Sequence, residues 1–214
     1  MPKTLGTLEN VKNVSHHIYS QEEIDYFQIN EAINNHPLSG YPANMRSKLA
    51  YKQIIDAGFT TSRYLIPGQI VVFNYAQPKF KEELEYYDAT PMVIFCGIGR
   101  TKEGNIRETG LNLHYFPPYT RARVLQIVYD AFKPYWEKQF NKPSKSPNMA
   151  VDYEALKSLL SFKHMQWALR MYIPVLRGNS YLIPTRLLAT AFYTEGHFSK
   201  ATKNQVHKYW RKFK

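Results

Sequence analysis

Apolar and polar positions alternate most tellingly between residues 66 and 118, where three short apolar runs stand between turn-forming residues. They read IPGQIVVFNYAQPK, YYDATPMVIFCGIGR and ETGLNLHYFPP. Each is rich in β-branched and aromatic side chains and bounded by Gly or Pro, which predicts strands over Gln69–Tyr75, Pro91–Ile98 and Gly110–Phe116. Val71, Val72 and Phe73 are consecutive, as in a strand covered on both faces. In the third run Leu111, Leu113 and Tyr115 alternate with Asn112, His114 and Phe116, so one face should be apolar and the other largely polar. Gly104-Asn105 marks a turn that joins the second and third strands as antiparallel neighbours. Short links and strong twist predict a small antiparallel β core closed as a barrel.

Around this core the spacing changes to the helical period. Ser20 is placed to cap a helix reaching about Asn35, with Ile24, Phe27, Ile29 and Ile33 inward, stopped by His36-Pro37. Met45–Ala57 should be a second helix, with Leu49, Ile54 and Ile55 inward and Gly58 ending it. Val124, Ile127, Val128, Ala131 and Tyr135 fall on one stripe of a helix from Thr120 to about Phe140. Further helices are expected from Asp152 to about Tyr172 and, capped by Ser199, from Lys200 to about Phe213. A short strand is expected over Tyr181–Pro184, and a short helix or strand over Arg186–Tyr193. The fold class is α+β, a β core flanked by N-terminal and C-terminal helices. Three regions follow: an arm over 1–20, helices plus β core over 21–140, and a helical C-terminal part over 149–214, after the linker NKPSKSPN.

Charge divides the chain at nearly the same place. Its 214 residues carry a formal net charge of +11. Up to Phe132 there are 13 basic and 13 acidic residues; from Lys133 onward there are 15 basic and 4 acidic, and none acidic after Glu195. Such asymmetry points to a polyanion, nucleic acid first and an acidic protein surface second. On the expected last helix Lys200, Lys203, His207, Arg211 and Lys214 share one face, opposite Val206, Trp210 and Phe213. With Lys208, Lys212, Arg170 and Lys163 they form the candidate DNA-binding set. Cations on a helix face neutralise phosphates but carry no sequence information, so binding should be salt-sensitive and sequence-independent. The lone cysteine, Cys96, excludes an internal disulfide and reads as a buried thiol within its strand. No apolar run approaches the ~20 residues that cross a bilayer, and the N-terminus lacks a signal core. A soluble protein made in a reducing cytoplasm, without membrane contact, is expected.

No phosphate loop, dinucleotide glycine pattern, nucleophile elbow, CxxC pair or HExxH helix is present, and no cofactor or metal is expected. A nuclease would need carboxylates converging on cations, and only Glu82, Glu83, Glu85 and Asp88 are dense enough. His114 could serve as a general base near Asp88; the plainer reading makes it a hydrogen-bonded residue at a sheet surface, with Asp88 capping the turn before the second strand. Tyr86, Tyr87 and Tyr115 read first as packing residues and second as a base-stacking platform.

The β core also resembles virion proteins of large tailed bacteriophages of the DNA end protector, or head-completion, family. The resemblance is carried by Pro67-Gly68 leading into Val72-Phe73-Asn74-Tyr75, by Pro78-Lys79, by Tyr86-Tyr87-Asp88 with Pro91, and by Gly110-Leu111-Asn112-Leu113-His114-Tyr115 before Pro117-Pro118. A weaker match covers Phe192–Val206, with Phe198, Lys200, Ala201, Thr202 and Lys203. It implies a minor virion component that binds the ends of packaged linear DNA and shields them from exonucleases, without turnover. Tyr86, Tyr87, Asp88, Asn112, His114 and Tyr115 are then structural or docking residues. Double-stranded DNA and neck, portal, tail or baseplate proteins become its expected partners, in the virion. The order of strands is similar to that of SH3-like barrels. The alternative is a neck, tail or baseplate adaptor whose basic face docks an acidic subunit.

Overall fold

The computed structural model describes residues 31–58, 65, 67–75, 81–127, 163–174, 177–183, 187–208 and 210. Among the described residues seven strands make two antiparallel sheets. The larger contains β1 (Ile70–Phe73), β3 (Met92–Arg100), β4 (Ile106–Asn112), β5 (Leu169–Tyr172) and β6 (Ser180–Leu182), in the order β5-β4-β3-β1-β6. The smaller pairs β2 (Tyr87–Asp88) with β7 (Phe198–Ser199). The α+β class and the antiparallel core are as expected, but an SH3-like barrel is not what forms. The edges β5 and β6 lie at opposite ends of the order, and among the described residues no pairing closes the sheet.

The sheet is covered on both faces, as the Val71-Val72-Phe73 run requires. Ile70, Val72, Met92, Ile94 and Leu111 point to one cluster. Helices supply its other side: Ala50 and Ile54 from Ala43–Asp56, Val124 and Leu125 from the helical residues 118–127, and Leu188 and Ala191 from Leu188–Phe192. In the first of these helices Ser47, Ala50 and Ile54 make the buried stripe, while Ile55, expected inward, is exposed. Val71, Phe73, Val93 and Phe95 point to the opposite cluster, with Tyr75, Tyr172 and Leu182. There Phe73, Tyr75 and Tyr172 meet edge to face, with centroids 5.2–6.2 Å apart.

Three elements depart from the sequence pattern for identifiable reasons. The third strand starts earlier and ends at Asn112. The Asn112 side chain accepts the His114 N–H and turns Leu113–Tyr115 into a 3₁₀ turn, an alternative to the ladder open to Asn. All four residues from Leu113 to Phe116 are therefore buried, and no polar face exists. The expected helix over Asp152–Tyr172 is helical over Lys163–Gln166 and then becomes edge strand β5, with Tyr172 inward and Met171 71% exposed. Residues 152–162 lie outside the described residues, as do the arm over 1–20 and the linker over 141–148. The last helix is Lys203–His207, capped by Thr202 rather than Ser199: Thr202 and Gln205 form a capping box, and Ser199 belongs to β7. The helix expected from Thr120 already includes residue 118.

One buried ion pair pins the β5–β6 connection to the sheet. Arg177 donates through Nε to Glu108 Oε2 at 3.0 Å and through Nη2 to Oε1 at 3.2 Å, and a third donor, Nη1, reaches Ser180 Oγ. Both side chains are buried. Removing one partner strands a charge in a medium that solvates it poorly, so Glu108→Ala should cost about 3–5 kcal/mol. Combining Glu108→Leu with Arg177→Met should restore most of that loss. Urea unfolding of the intact chain measures both, and a double variant no better than Glu108→Ala would contradict this account.

Candidate functional site

The segments that carry the resemblance converge on one carboxylate. Asp88 ends β2 and is 4% exposed. Its Oδ1 accepts the N–H of Thr90 at 3.1 Å and of His197 at 3.0 Å. Its Oδ2 accepts Asn112 Nδ2 at 3.2 Å and His114 Nδ1 at 2.7 Å. The Thr90 bond is the turn cap expected from sequence. The other three come from β4, the following turn and the connection before β7. Burial opposes ionisation of Asp88, but the charge and hydrogen bond of His114, then the Thr90 N–H and the Asn112 amide, outweigh it and hold the carboxyl below its usual value.

His114 is correspondingly not at a sheet surface. Its exposure is 1%, and burial holds it below its ordinary value against the pull of Asp88. With Nδ1 directed at Asp88, Nε2 lies within hydrogen-bond distance of the Thr194 hydroxyl, at 3.1 Å. The same hydroxyl donates to the Ala191 carbonyl at 2.7 Å, which also accepts the Thr194 N–H. Around the pair, Arg121 is buried and donates to the Thr194 carbonyl at 2.6 Å; burial lowers its pKa to about 10, which leaves it cationic at neutral pH. Tyr51 sits between the carbonyls of Thr90 and Glu195, and Ser47 accepts the Glu195 N–H. Gly196 must lie close: a Cβ there would stand 2.7 Å from the Phe198 ring and 2.9 Å from His114 Cβ. Tyr86, Tyr115 and Phe198 stack at tilted and perpendicular angles beside it, as packing residues. Tyr87 pairs with Ser199 across the small sheet.

This centre is built to hold segments together. All four acceptor directions of Asp88 are filled, so neither it nor His114 can activate a water in solvent. The acidic cluster does not converge either: Glu82, Glu83 and Glu85 are exposed while Asp88 faces the core. Among the described residues no group of three His, Cys, Asp or Glu side chains is arranged to hold a metal ion. The Cys96 thiol donates to the Ile94 carbonyl, and burial pushes its pKa up to about 12.

Most of the expected DNA-binding residues that are described have partners within the chain. Lys200 Nζ reaches the carbonyls of Lys81, Glu82 and Leu84. Lys203 pairs with Glu195, and His207 donates from Nε2 to the His114 carbonyl at 3.0 Å. Arg170 lies 4.0 Å over the Tyr115 ring and donates to the carbonyls of Trp167 and Leu169. Lys208 is exposed. Lys163 opens its helix, and Arg211, Lys212 and Lys214 lie outside the described residues. The structure adds cations the sequence reading passed over: Lys48, and Arg100, Lys102 and Arg107 on the β3–β4 hairpin. Among the described residues none of these four has a carboxylate within ion-pair distance. The signal for the hairpin set was present in IGRTKEGNIR, three basic residues around a turn. No described helix is long and apolar enough to cross a membrane.

The family model of the phage T4 terminal DNA protecting protein matches residues 14–212. No curated protein and no solved structure matches the chain.

Asp88→Asn would set an amide N–H against one of four converging donors, so the intact chain should lose about 3–5 kcal/mol in urea unfolding. Acid should act in the same direction. The folded pKa values of His114 and Asp88 both lie below their ordinary 6.5 and 3.8, so the unfolded chain binds more protons. Stability should fall as pH drops below about 6.5, reinforced by His36 and His207, which burial shifts the same way, and fall again below about 3.8. The lower limb should flatten in Asp88→Asn; a urea midpoint independent of pH between 8 and 3.5 would contradict the assignment.

Proposed function

This chain belongs to the phage T4 terminal DNA protecting protein family, and from that premise we propose that it shields DNA ends by occupying them through phosphate contacts that do not read sequence. Protection of the ends of linear DNA is the family's role. The match over residues 14–212 carries this reading, because it spans the β core, the buried centre and the basic C-terminal part together. The charge agrees: a protein with net charge +11 approaches a polyanion favourably, and each phosphate neutralised by Lys or Arg releases counterions. Shielding by occupancy needs no reacting group, in keeping with an Asp88–His114 pair sealed from solvent. A phage protein with this role works at the virion, where neck, portal, tail or baseplate subunits are its nearest protein partners.

The exposed Lys208 and the basic residues beyond it supply phosphate contacts, while Lys200, Lys203, His207 and Arg170 hold the fold. The direct test is an exonuclease challenge of a blunt linear duplex at low salt. The purified chain should protect it, and protection should decline steeply with added salt. A duplex degraded at the same rate with saturating protein would overturn the reading. Lys208→Glu should weaken binding to two unrelated sequences equally and lower the slope of log K against log salt by about 0.9. An unchanged slope would remove this helix from the phosphate contacts.

A further inference from the structure

The β3–β4 hairpin outruns its sheet. β1 pairs with β3 only as far as Ile94, and β5 pairs with β4 only as far as Glu108. Among the described residues, from Gly97 to Arg100 and from Ile106 to Arg107 the two strands pair only with each other. A bulge between Phe95 and Gly97, where Gly97 takes φ 153°, marks the place where the ribbon leaves the sheet. In register, Ile98 faces Glu108 and Arg100 faces Ile106, so Ile98, Arg100, Ile106 and Glu108 share one face, with Glu108 buried in its pair with Arg177. Ile98 is 57% exposed and Ile106 45%, and they are diagonal neighbours across the ribbon. Arg107 lies on the other face with Gly97 and Gly99, beside which a Cβ would meet nothing within 4 Å. Residues 98–107 carry three basic residues and one acidic, Glu103. Among the described residues Arg100 and Arg107 donate to the Gly104 and Ile106 carbonyls, and the carboxylate near Arg107 is that of Glu103.

An exposed apolar pair with Arg100 beside it, on a ribbon that also carries Lys102 and Arg107, fits one feature that distinguishes a DNA end from the rest of a duplex. Interior base pairs are stacked on both sides and offer only edges and phosphates. An end offers the flat apolar face of its last base pair, encircled by charged phosphates. We propose that the free end of this ribbon caps a blunt duplex end, with Ile98 and Ile106 against the terminal base pair and Arg100, Lys102 and Arg107 on the surrounding phosphates. Aliphatic side chains make such contacts with base faces where proteins unstack DNA, and contacts of this type do not select a sequence. This inference rests on the end-protection reading and names the surface that tells an end from an interior.

The test compares binding of the full chain to a blunt linear duplex and to a relaxed covalently closed circle of the same sequence. The wild type should prefer the linear form. Ile98→Ser with Ile106→Ser changes only exposed positions, and an unchanged urea midpoint confirms the fold. That variant should lose about tenfold in affinity for the linear form and little for the circle, together with most of its exonuclease protection. Arg100→Glu with Lys102→Glu should weaken binding to the linear form and lower its salt slope, with a smaller loss on the circle. If the isoleucine variant still prefers and protects ends as the wild type does, the ribbon proposal fails and the family reading stands. Equal losses on line and circle would also overturn it, because the ribbon would then touch the side of the duplex. A wild type that neither prefers nor protects ends would overturn the end-protection reading itself.

Discussion

A single buried carboxylate holds this fold together. Asp88 is ionised in a place where an unpaired charge would cost several kcal/mol, and it is tolerable there only because four N–H donors converge on it. Those donors belong to the turn before β3, the end of β4, the 3₁₀ turn and the connection before β7. Each must be in position for the others to be useful. Thus the small β2–β7 sheet, the sharp end of β4 and the close approach of Gly196 to His114 are facets of one constraint. His207 extends it, since its bond to the His114 carbonyl ties the last described helix to the same centre.

This arrangement changes how the net charge of +11 should be understood. A cation counted in the sequence is not thereby offered to a ligand. Arg177 is spent on Glu108, Arg121 on the Thr194 carbonyl, Lys203 on Glu195 and Lys200 on three backbone carbonyls. These bonds fix loops that would otherwise leave carbonyls unsatisfied. What remains free among the described residues is scattered differently from the sequence's own asymmetry, and part of it lies on the β3–β4 hairpin, in the half whose charges cancel.

Local signals in the sequence were legible where local physics decides. Val71-Val72-Phe73 reported a strand covered on both sides, Gly104-Asn105 a hairpin, and Gly58 a helix end. The proximity of Asp88 and His114 was also within reach, because both stood in polar positions beside apolar strands. Alternation misled at Leu113–Phe116 because the Asn112 side chain competes with the ladder for the backbone, a choice settled by Asp88 from another strand. Leu169–Tyr172 has helical spacing yet pairs as a strand, since the open edge of β4 and the aromatic cluster around Phe73 offer more than another helical turn. Nor could the partners of Lys200 and Lys203 be read in advance, for they lie along the chain at residues 81–84 and 195 and meet only after folding.

The bond from the His197 N–H to Asp88 spans 109 positions. A ribosome that has translated the five strands of the larger sheet has therefore not yet made the group that completes the centre. Asp88 thus emerges well before one of the four donors that solvate it. A chain interrupted before His197 would lack one of the four N–H groups that make a buried Asp88 tolerable.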